Sequence, residues 1–197
     1  MKSENIVKYH LRRLAESNVP RVAQVNKRGD VLFTDRRIAV RIKRALQRTE
    51  RELYYYDSFG GLIGSNGVFY PGPELTEKLT DKPKKISAKM TLSNSELKRA
   101  LTGKGKNVTL NAMGNMLRFE KFEDSNKFYE FKNYMASDGI DELMHFKTSY
   151  LKQVAHLAHQ LRVEEITFYF QGSAVMPIYI EIGRRAVVVL APIRKGR

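Results

Sequence analysis

Residues 149–193 read SYLKQVAHLAHQLRVEEITFYFQGSAVMPIYIEIGRRAVVVLAPI, and this stretch predicts one helix followed by three strands. Apolar residues recur every three or four positions over Tyr150–Leu161, which is typical of an amphipathic helix. Short apolar and alternating runs predict strands at Glu165–Phe170, Met176–Ile182 and Arg185–Ala191. The stretch is therefore read as a helix–strand–strand–strand unit.

The same order of elements precedes this stretch, so half of the fold is duplicated. Ser93-Asn94-Ser95-Glu96 is a capping box, and it predicts a short helix that ends near Leu101. The predicted strands around that helix are 86–92, 107–110, 115–120, 128–134 and 143–147. Residues 86–193 consequently read as β-α-β-β-β followed by β-α-β-β-β, which is an α+β architecture.

A polar, proline-containing segment separates this duplicated part from the chain before it. The segment PGPELTEKLTDKPKK, residues 71–85, contains three prolines and predicts a linker. The preceding residues predict a small basic α+β domain, with a helix over 3–17 and strands over 21–26, 31–34 and 37–43. In the last of these strands, alternation places Ile38, Val40 and Ile42 on one face and Arg37, Arg41 and Lys43 on the other. The predicted organisation is 1–70 for this small domain, 71–85 for the linker and 86–197 for the second domain.

The chain is strongly basic. It has 35 Lys and Arg against 21 Asp and Glu, a net charge of +14 and a pI near 9.9. Such an excess favours a polyanionic partner, because binding releases the counterions of that partner. Nucleic acid is the commonest partner of this kind. An acidic membrane surface and a charge that serves only solubility are the alternatives.

Motifs for catalysis, metal or cofactors are missing from the sequence. It contains no Cys, no G-x-S-x-G and no H-E-x-x-H, and its glycine-rich stretch at 60–67 fits no nucleotide-binding loop. His156 and His159 have helical metal-ligand spacing, but no carboxylate or third His lies nearby in sequence. These absences predict a protein that is not an enzyme and that has no metal and no cofactor.

Neither a signal peptide nor a membrane span is evident. Met1-Lys2-Ser3-Glu4 is not followed by an apolar region, and no stretch approaches the ~20 apolar residues of a transmembrane helix. We therefore expect no membrane association and a cytoplasmic location, at the nucleoid or in an infected host cell.

Three short motifs in the C-terminal half resemble those of DNA sliding clamps. They are Tyr150-Leu151, the turn Ser173-Ala174-Val175-Met176-Pro177, and the ending Leu190-Ala191-Pro192-Ile193. Eukaryotic and archaeal clamps have a Tyr-Leu helix, a Val-Pro turn and a final Leu-Ala-Pro in this order. The resemblance implies a PCNA-like, DNA-clamp-like domain, in which two helices lie side by side and are backed by antiparallel sheets. The small domain at 1–70 then corresponds to a reduced clamp domain.

In that family the paired helices line the surface that faces DNA, and the charges of this chain agree. On the second helix, Lys152, Gln153, His156, His159 and Gln160 share one face without any acid, opposite a stripe of Tyr150, Leu151, Val154, Leu157, Ala158 and Leu161. The position of His156 often carries Lys in related clamps, which implies a pH-dependent DNA contact. The candidate DNA-binding residues are Lys8, Arg12, Arg13, Arg37, Arg41, Lys43, Lys98, Arg99, Lys152, His156 and His159.

Clamps also bind partner peptides beside the interdomain linker and the C-terminal strand. Carried over, this implies a pocket for a short hydrophobic peptide of a DNA polymerase, with Leu75 or Leu79 contributed by the linker. Ordinary core packing is the alternative for the same residues. The implied pocket residues are Pro177, Val189, Leu190, Ala191 and Pro192.

The net charge bears on the oligomeric state. Ring-forming clamps are acidic overall, whereas herpesvirus-type processivity factors are basic and grip DNA without closing a ring. A charge of +14 resembles the second type and would fit a viral origin. The resemblance implies a homo-oligomer, which is a trimer if a ring closes, and otherwise a monomer or dimer.

The leading hypothesis is a processivity factor that tethers a DNA polymerase to duplex DNA without sequence specificity. A second hypothesis is a sequence-specific DNA- or RNA-binding regulator that uses the basic stretch Arg36–Arg51 as its reading surface. A third is a metal-dependent nuclease whose site is assembled from distant residues. Only the first requires the duplicated β-α-β-β-β pattern with an acid-free helix face.

Overall fold

The computed structural model of the chain describes residues 6, 9, 21–26, 28–34, 37–45, 52–56, 62–64, 78–113, 116–122, 124–131, 134–136 and 142–193. Within these ranges it gives the bounds of two α-helices and fourteen β-strands. Of the helix predicted over 3–17, only Ile6 and Tyr9 are described, and both are helical.

These residues form two compact units. The first contains the described residues up to Asp81 together with Arg184–Val189, and the second contains Lys82–Gly183 and the described residues from Leu190 onward. The division differs from the predicted second domain, 86–197, because Arg184–Val189 group with the N-terminal part of the chain. Much of the predicted linker 71–85 lies outside the described residues, so its extent stays a prediction.

The first unit is built on a β-sheet. Its strands are β1 (Arg21–Val25), β2 (Val31–Thr34), β3 (Ile38–Ile42), β4 (Glu52–Tyr56), β5 (Leu62–Gly64) and β14 (Ala186–Leu190), of which all but Leu190 belongs to this unit. They are hydrogen-bonded in the order β14-β3-β2-β1-β4-β5. Ile38, Val40 and Ile42 on β3 are at most 2% exposed, as their alternation with polar residues predicts. Ala39 is buried as well, so part of β3 is covered on both faces.

A tight turn joins β1 to β2. The side-chain oxygen of Asn26 accepts the N–H groups of Arg28 and Asp30 at 2.9 and 3.0 Å, and Gly29 has a φ of 77°, which favours glycine. Asp30 is only 4% exposed, yet its carboxylate is fully engaged. It accepts hydrogen bonds from Arg41 at 2.7 and 2.9 Å and from the N–H of Arg44 at 2.9 Å. The turn thereby ties β2 to the end of β3.

The second unit contains the duplicated pattern. Its elements are β6 (Ala88–Ser93), α1 (Asn94–Ala100), β7 (Asn107–Met113), β8 (Met116–Lys121), β9 (Asp124–Phe131), β10 (Tyr134–Ala136), β11 (Glu142–Lys147), α2 (Thr148–Gln160), β12 (Glu165–Phe170) and β13 (Ile178–Ile182). The strands pair in the orders β10-β6-β12-β13 and β11-β7-β8-β9. Every described pairing in this unit is antiparallel. The predicted α+β class, with two helices and antiparallel sheets, is confirmed.

One predicted strand is wrong in its bounds. The run 128–134 was expected to be a single strand, but β9 ends at Phe131 and β10 begins at Tyr134. The two belong to different sheets, since β9 pairs with β8 and β10 pairs with β6. Local alternation does not reveal where a chain passes from one sheet to another, because both segments have strand-like composition.

The core of the second unit lies between its two sheets and the two helices. The rings of Phe119 on β8 and Phe168 on β12 are both fully buried, with centroids 6.3 Å apart in an edge-on arrangement. Leu97 on α1 and Leu151 on α2 are 0% exposed and add to this core. Burial of such side chains contributes about 1.5–3 kcal/mol each, which holds both helices against the sheets.

Candidate nucleic-acid interface

The two helices run antiparallel, and backbone hydrogen bonds fix both ends of the pair. Where α1 begins, the N–H of Asn94 donates to the carbonyl of Glu164, which follows α2, at 2.8 Å. Where α2 begins, the N–H of Thr148 donates to the carbonyl of Lys106, which follows α1, at 2.9 Å. The end of α1 therefore lies beside the start of α2.

The start of α1 is held by the predicted capping box. Ser93 accepts the N–H of Glu96, while the Glu96 carboxylate accepts the backbone N–H and the hydroxyl of Ser93 at 2.7 and 2.8 Å. The Ser93 N–H, followed by its hydroxyl, lowers the pKa of Glu96 below its ordinary value. Leu97 and Leu101 are buried, and Lys98 and Arg99 are exposed, as the sequence predicts.

On α2 the buried and outward faces follow the prediction for most residues, but Tyr150, expected in the buried stripe, is half-buried. Leu151, Val154, Leu157, Ala158 and Leu161 are buried, whereas Lys152 and His159 are exposed and His156 is half-buried. Gln153 was expected on the outward face and is only 5% exposed. Gln153 lies at the edge of the apolar stripe of α2, and the 3.6-residue spacing of apolar residues alone does not show that a polar side chain there is buried. No residue of α2 is acidic.

Charge is distributed unevenly along the helix pair. At the end where α1 finishes and α2 starts lie Lys98, Arg99, Lys106, Lys147 and Lys152. Glu96 and Glu164 lie toward the opposite end, as the Asn94–Glu164 hydrogen bond requires, although the charge of Arg99 is close enough to help lower the pKa of Glu96. The α2 start has no acidic residue and no side-chain cap, so its helix dipole adds positive potential at the basic end.

Lys106 and Lys147 were not among the candidates predicted from the sequence. Both flank a helix rather than lying on it, so helical spacing gave no signal for them. Lys106 is exposed, and the Lys147 ammonium lies 5.8 Å from the centroid of the Tyr150 ring. For Lys106, the basic composition of the loop Thr102–Lys106 is the sequence feature that could have indicated a place on the basic surface.

Lys104, in the same loop, belongs to the interior. It is 6% exposed, and its ammonium donates to the carbonyl of Lys127 at 2.7 Å. Burial lowers the pKa of Lys104, although the charge of Glu120 opposes the shift. The side chain therefore supports the edge strand β9 and contributes little to an outward basic surface.

The predicted basic candidates of β3 have different environments. Arg37 is exposed and Lys43 is half-buried, but Arg41 is bound to Asp30 with its side chain only 17% exposed. Burial would raise the pKa of Asp30, but the N–H of Arg44 and the guanidinium of Arg41 hold it below its ordinary value. The charge of Arg41 is thus largely compensated within the fold. The candidates Lys8, Arg12 and Arg13 lie outside the described residues.

The residues predicted to form a peptide pocket differ in accessibility. Leu190 is 0% exposed and Pro192 is buried, while Pro177, Val189 and Ala191 are half-buried. The carbonyl of Pro177 accepts a hydrogen bond from the Gln171 amide at 2.6 Å. In the neighbouring turn Val175 and Met176 are 60% and 44% exposed. Leu79 is also exposed, and Leu75 falls outside the described ranges. The pocket stays a prediction.

The described part of the chain has neither a metal-binding cluster nor a membrane-spanning helix. It contains no group of three or more His, Asp or Glu side chains arranged to hold a metal ion. None of its helices is long and apolar enough to cross a membrane.

Solved structures of bacterial sliding clamps share this fold. The chain superposes on the DNA polymerase III beta subunit of Thermotoga maritima with a TM-score of 0.65 and 14% identity, over 100% of this chain and 65% of that one. For a sliding clamp of Pseudomonas aeruginosa bound to griselimycin, the TM-score is 0.69 at 12% identity, over 99% and 64%. For the beta subunit of Borrelia burgdorferi, it is 0.58 at 16% identity, over 100% and 62%.

The extent of this likeness has two limits. No family model and no curated protein matches the sequence. The chain spans just under two thirds of the length of these bacterial clamps, whereas the sequence motifs resembled those of eukaryotic and archaeal clamps. At 12–16% identity the likeness is one of fold. The predicted resemblance is confirmed at that level: the chain has the fold of a DNA sliding clamp.

Proposed function

We propose that this protein is a processivity factor that holds a DNA polymerase on duplex DNA without reading its sequence. The observation that carries the proposal is the outward surface of α1 and α2, which presents Lys98, Arg99, Lys152 and His159 with no acid on α2, within a clamp fold. The protein acts by binding and has no catalytic role of its own.

The physical basis is contact with phosphates. Lys and Arg side chains on a smooth helix surface neutralise backbone phosphates, which are identical along the duplex, so the contacts carry no sequence information. Flexible, solvated ammonium groups exchange readily between neighbouring phosphates. Such a surface retains DNA while permitting movement along it.

Tethering explains how retention aids synthesis. A polymerase bound to a protein that stays on DNA re-engages the primer at a high effective concentration, without a new bimolecular encounter. The proposed attachment is a short hydrophobic peptide of the polymerase, bound near Pro177, Ala191 and Pro192. A closed ring would be a trimer in this proposal, and an open form would be a monomer or dimer.

The competing hypothesis of a sequence-specific regulator loses one of its central residues. It required the basic stretch 36–51 to face the bases, but Arg41 is bound to Asp30 through two hydrogen bonds. A guanidinium held in this way is not available for bidentate recognition of guanine.

Neutralising the helix surface tests the proposal. The triple variant Lys98→Gln, Arg99→Gln, Lys152→Gln is compared with wild type in fluorescence anisotropy titrations with random-sequence duplex DNA. We expect roughly tenfold weaker binding or more, and a log–log salt slope that is less negative by about 2.7 if three phosphate contacts are lost.

A second triple variant controls for net charge. Lys84→Gln, Lys85→Gln, Lys89→Gln removes the same charge from three exposed lysines that lie on neither helix. It should retain DNA affinity within about threefold. Equal losses in the two variants would mean that overall charge, and not the helix surface, binds the DNA.

A further inference from the structure

A shallow cavity of about 380 Å³ lies at the basic end of the helix pair. Its wall on the α1 side is formed by residues in the last turn of the helix and just after it, and its other wall comes from the middle of α2. The lining residues are Lys98, Leu101, Thr102, Gly103, Lys152, Ala155 and His156.

The chemistry of this lining selects an anion. Lys98 on the α1 side and Lys152 on the α2 side each bring an ammonium-bearing side chain to the lining, and His156 brings an imidazole-bearing one. No carboxylate lines the cavity. Leu101 and Ala155 are 1% and 2% exposed and form an apolar base. A compact oxyanion held between two ammonium groups is the ligand class that fits this arrangement.

The backbone carbonyls on the α1 side of the cavity are occupied by hydrogen bonds within the helix end. Near the end of α1, the Leu101 and Thr102 N–H groups and the Thr102 hydroxyl donate to helix carbonyls at 3.0–3.1 Å, so these carbonyls are already engaged. Gly103 has a φ of 72°, and a Cβ added there would meet nothing within 4 Å, so this wall is open to solvent.

We propose that the cavity is a discrete binding site for a phosphate group. The site rests on the proposed function and adds a specific contact to it, because in the complex with duplex DNA its occupant would be a backbone phosphodiester. A free phosphate compound would use the same chemistry. The volume is at the lower end of the range for small-ligand sites, so it also accepts two linked phosphates, as in pyrophosphate. Arg99 and His159 do not line it, and Arg99 attracts DNA only by its charge.

Adjacent residues on α1 provide a matched test. Lys98→Gln and Arg99→Gln remove the same charge from neighbouring exposed positions, but only Lys98 lines the cavity. The full-length protein is titrated with pyrophosphate by isothermal calorimetry at constant ionic strength and without divalent cations. We expect at least a tenfold loss of pyrophosphate affinity for Lys98→Gln and for Lys152→Gln, and less than a twofold change for Arg99→Gln. Unchanged melting temperatures would confirm that each variant is folded.

The same variants are then titrated with random-sequence duplex, alone and with pyrophosphate as competitor. Competition, together with a larger loss of DNA affinity for Lys98→Gln than for Arg99→Gln, would identify the phosphodiester as an occupant. Pyrophosphate binding without competition would identify free phosphate compounds as the ligand.

Two outcomes would distinguish a failure of the cavity site from a failure of the proposed function. No pyrophosphate binding, with equal loss of DNA affinity in Lys98→Gln and Arg99→Gln, would overturn the site and leave the DNA-binding surface intact. Cavity-dependent pyrophosphate binding by a wild-type protein that binds no duplex would support the site and overturn the proposed function. Equal weakening of pyrophosphate binding by Lys98→Gln and Arg99→Gln would also overturn the site, since the charge would then act diffusely.

Discussion

Replacing Asp30 with Ala should lower the free energy of unfolding of the first unit by about 3 kcal/mol at pH 7. The carboxylate is 4% exposed and accepts two hydrogen bonds from Arg41 and one from the Arg44 N–H. Removing one partner of a buried ion pair costs about 3–5 kcal/mol, because the other charge is left uncompensated. The Arg41 side chain is 17% exposed, so water recovers part of this loss and the lower end of the range applies.

The stabilisation by Asp30 should depend on pH with a defined sign. The pKa of Asp30 is lowered in the folded protein, since the Arg44 N–H and the Arg41 guanidinium outweigh the effect of burial. Its contribution is therefore fully present above the ordinary pKa of 3.8 and is lost as the pH falls through the lower value of the folded state. The difference between wild type and Asp30→Ala should shrink in this acidic range.

Hydrogen exchange in increasing urea measures the effect locally. Amides of β2 and β3 report on the first unit for Asp30→Ala, and amides of β8 report on a control, Asp124→Ala. Asp124 forms an ion pair of 3.6 Å with Lys127, whose side chain is 70% exposed, so its loss should cost about 0–1 kcal/mol. If Asp30→Ala costs no more than Asp124→Ala, the buried cluster does not stabilise the sheet as argued.

Two further substitutions test local geometry by thermal denaturation. Gly172→Ala should destabilise the protein by about 2–3 kcal/mol, because Gly172 has a φ of 75° and the new Cβ would lie 2.4 Å from the Ser87 Oγ and 3.1 Å from its Cβ. The control Gly103→Ala, at a φ of 72° and with open space around the new Cβ, should cost only about 1 kcal/mol. Equal costs would contradict the steric argument. Ser93→Ala should cost about 1 kcal/mol through loss of the α1 cap. The pKa of Glu96 is lowered, so its stabilising contribution should be fully present above the ordinary value of 4.5 and be lost as the pH falls through the lower value of the folded state. A constant difference between wild type and Glu96→Gln down to strong acid would count against the capping box.

Local signals in the sequence predicted the two helices that carry the candidate interface. The capping box at Ser93–Glu96 marked the start of α1, and the 3.6-residue spacing of Leu151, Val154 and Ala158 oriented α2. These features depend on neighbours within a turn or two, where side-chain spacing and backbone hydrogen bonding are directly coupled. The outward position of Lys98, Arg99 and Lys152 followed from them.

Features that depend on distant residues were not predicted. The pairing of Arg41 with Asp30 needs two strands in a particular register, and alternation alone placed Arg41 with Arg37 and Lys43 on one polar face. The cavity needs Lys98 and Lys152, more than fifty positions apart, on adjacent helix ends. The passage from β9 to β10 between sheets likewise follows from packing of the whole unit.

The central claim is most directly tested by titrating two unrelated duplexes of equal length with wild-type protein across a range of salt concentrations. Sequence-independent phosphate contact predicts affinities that agree within about threefold, and log K that falls linearly with log salt, with a slope of about 0.9 for each phosphate contacted. A strong preference for one duplex, affinity that does not change with salt, or no binding at low ionic strength would contradict the account.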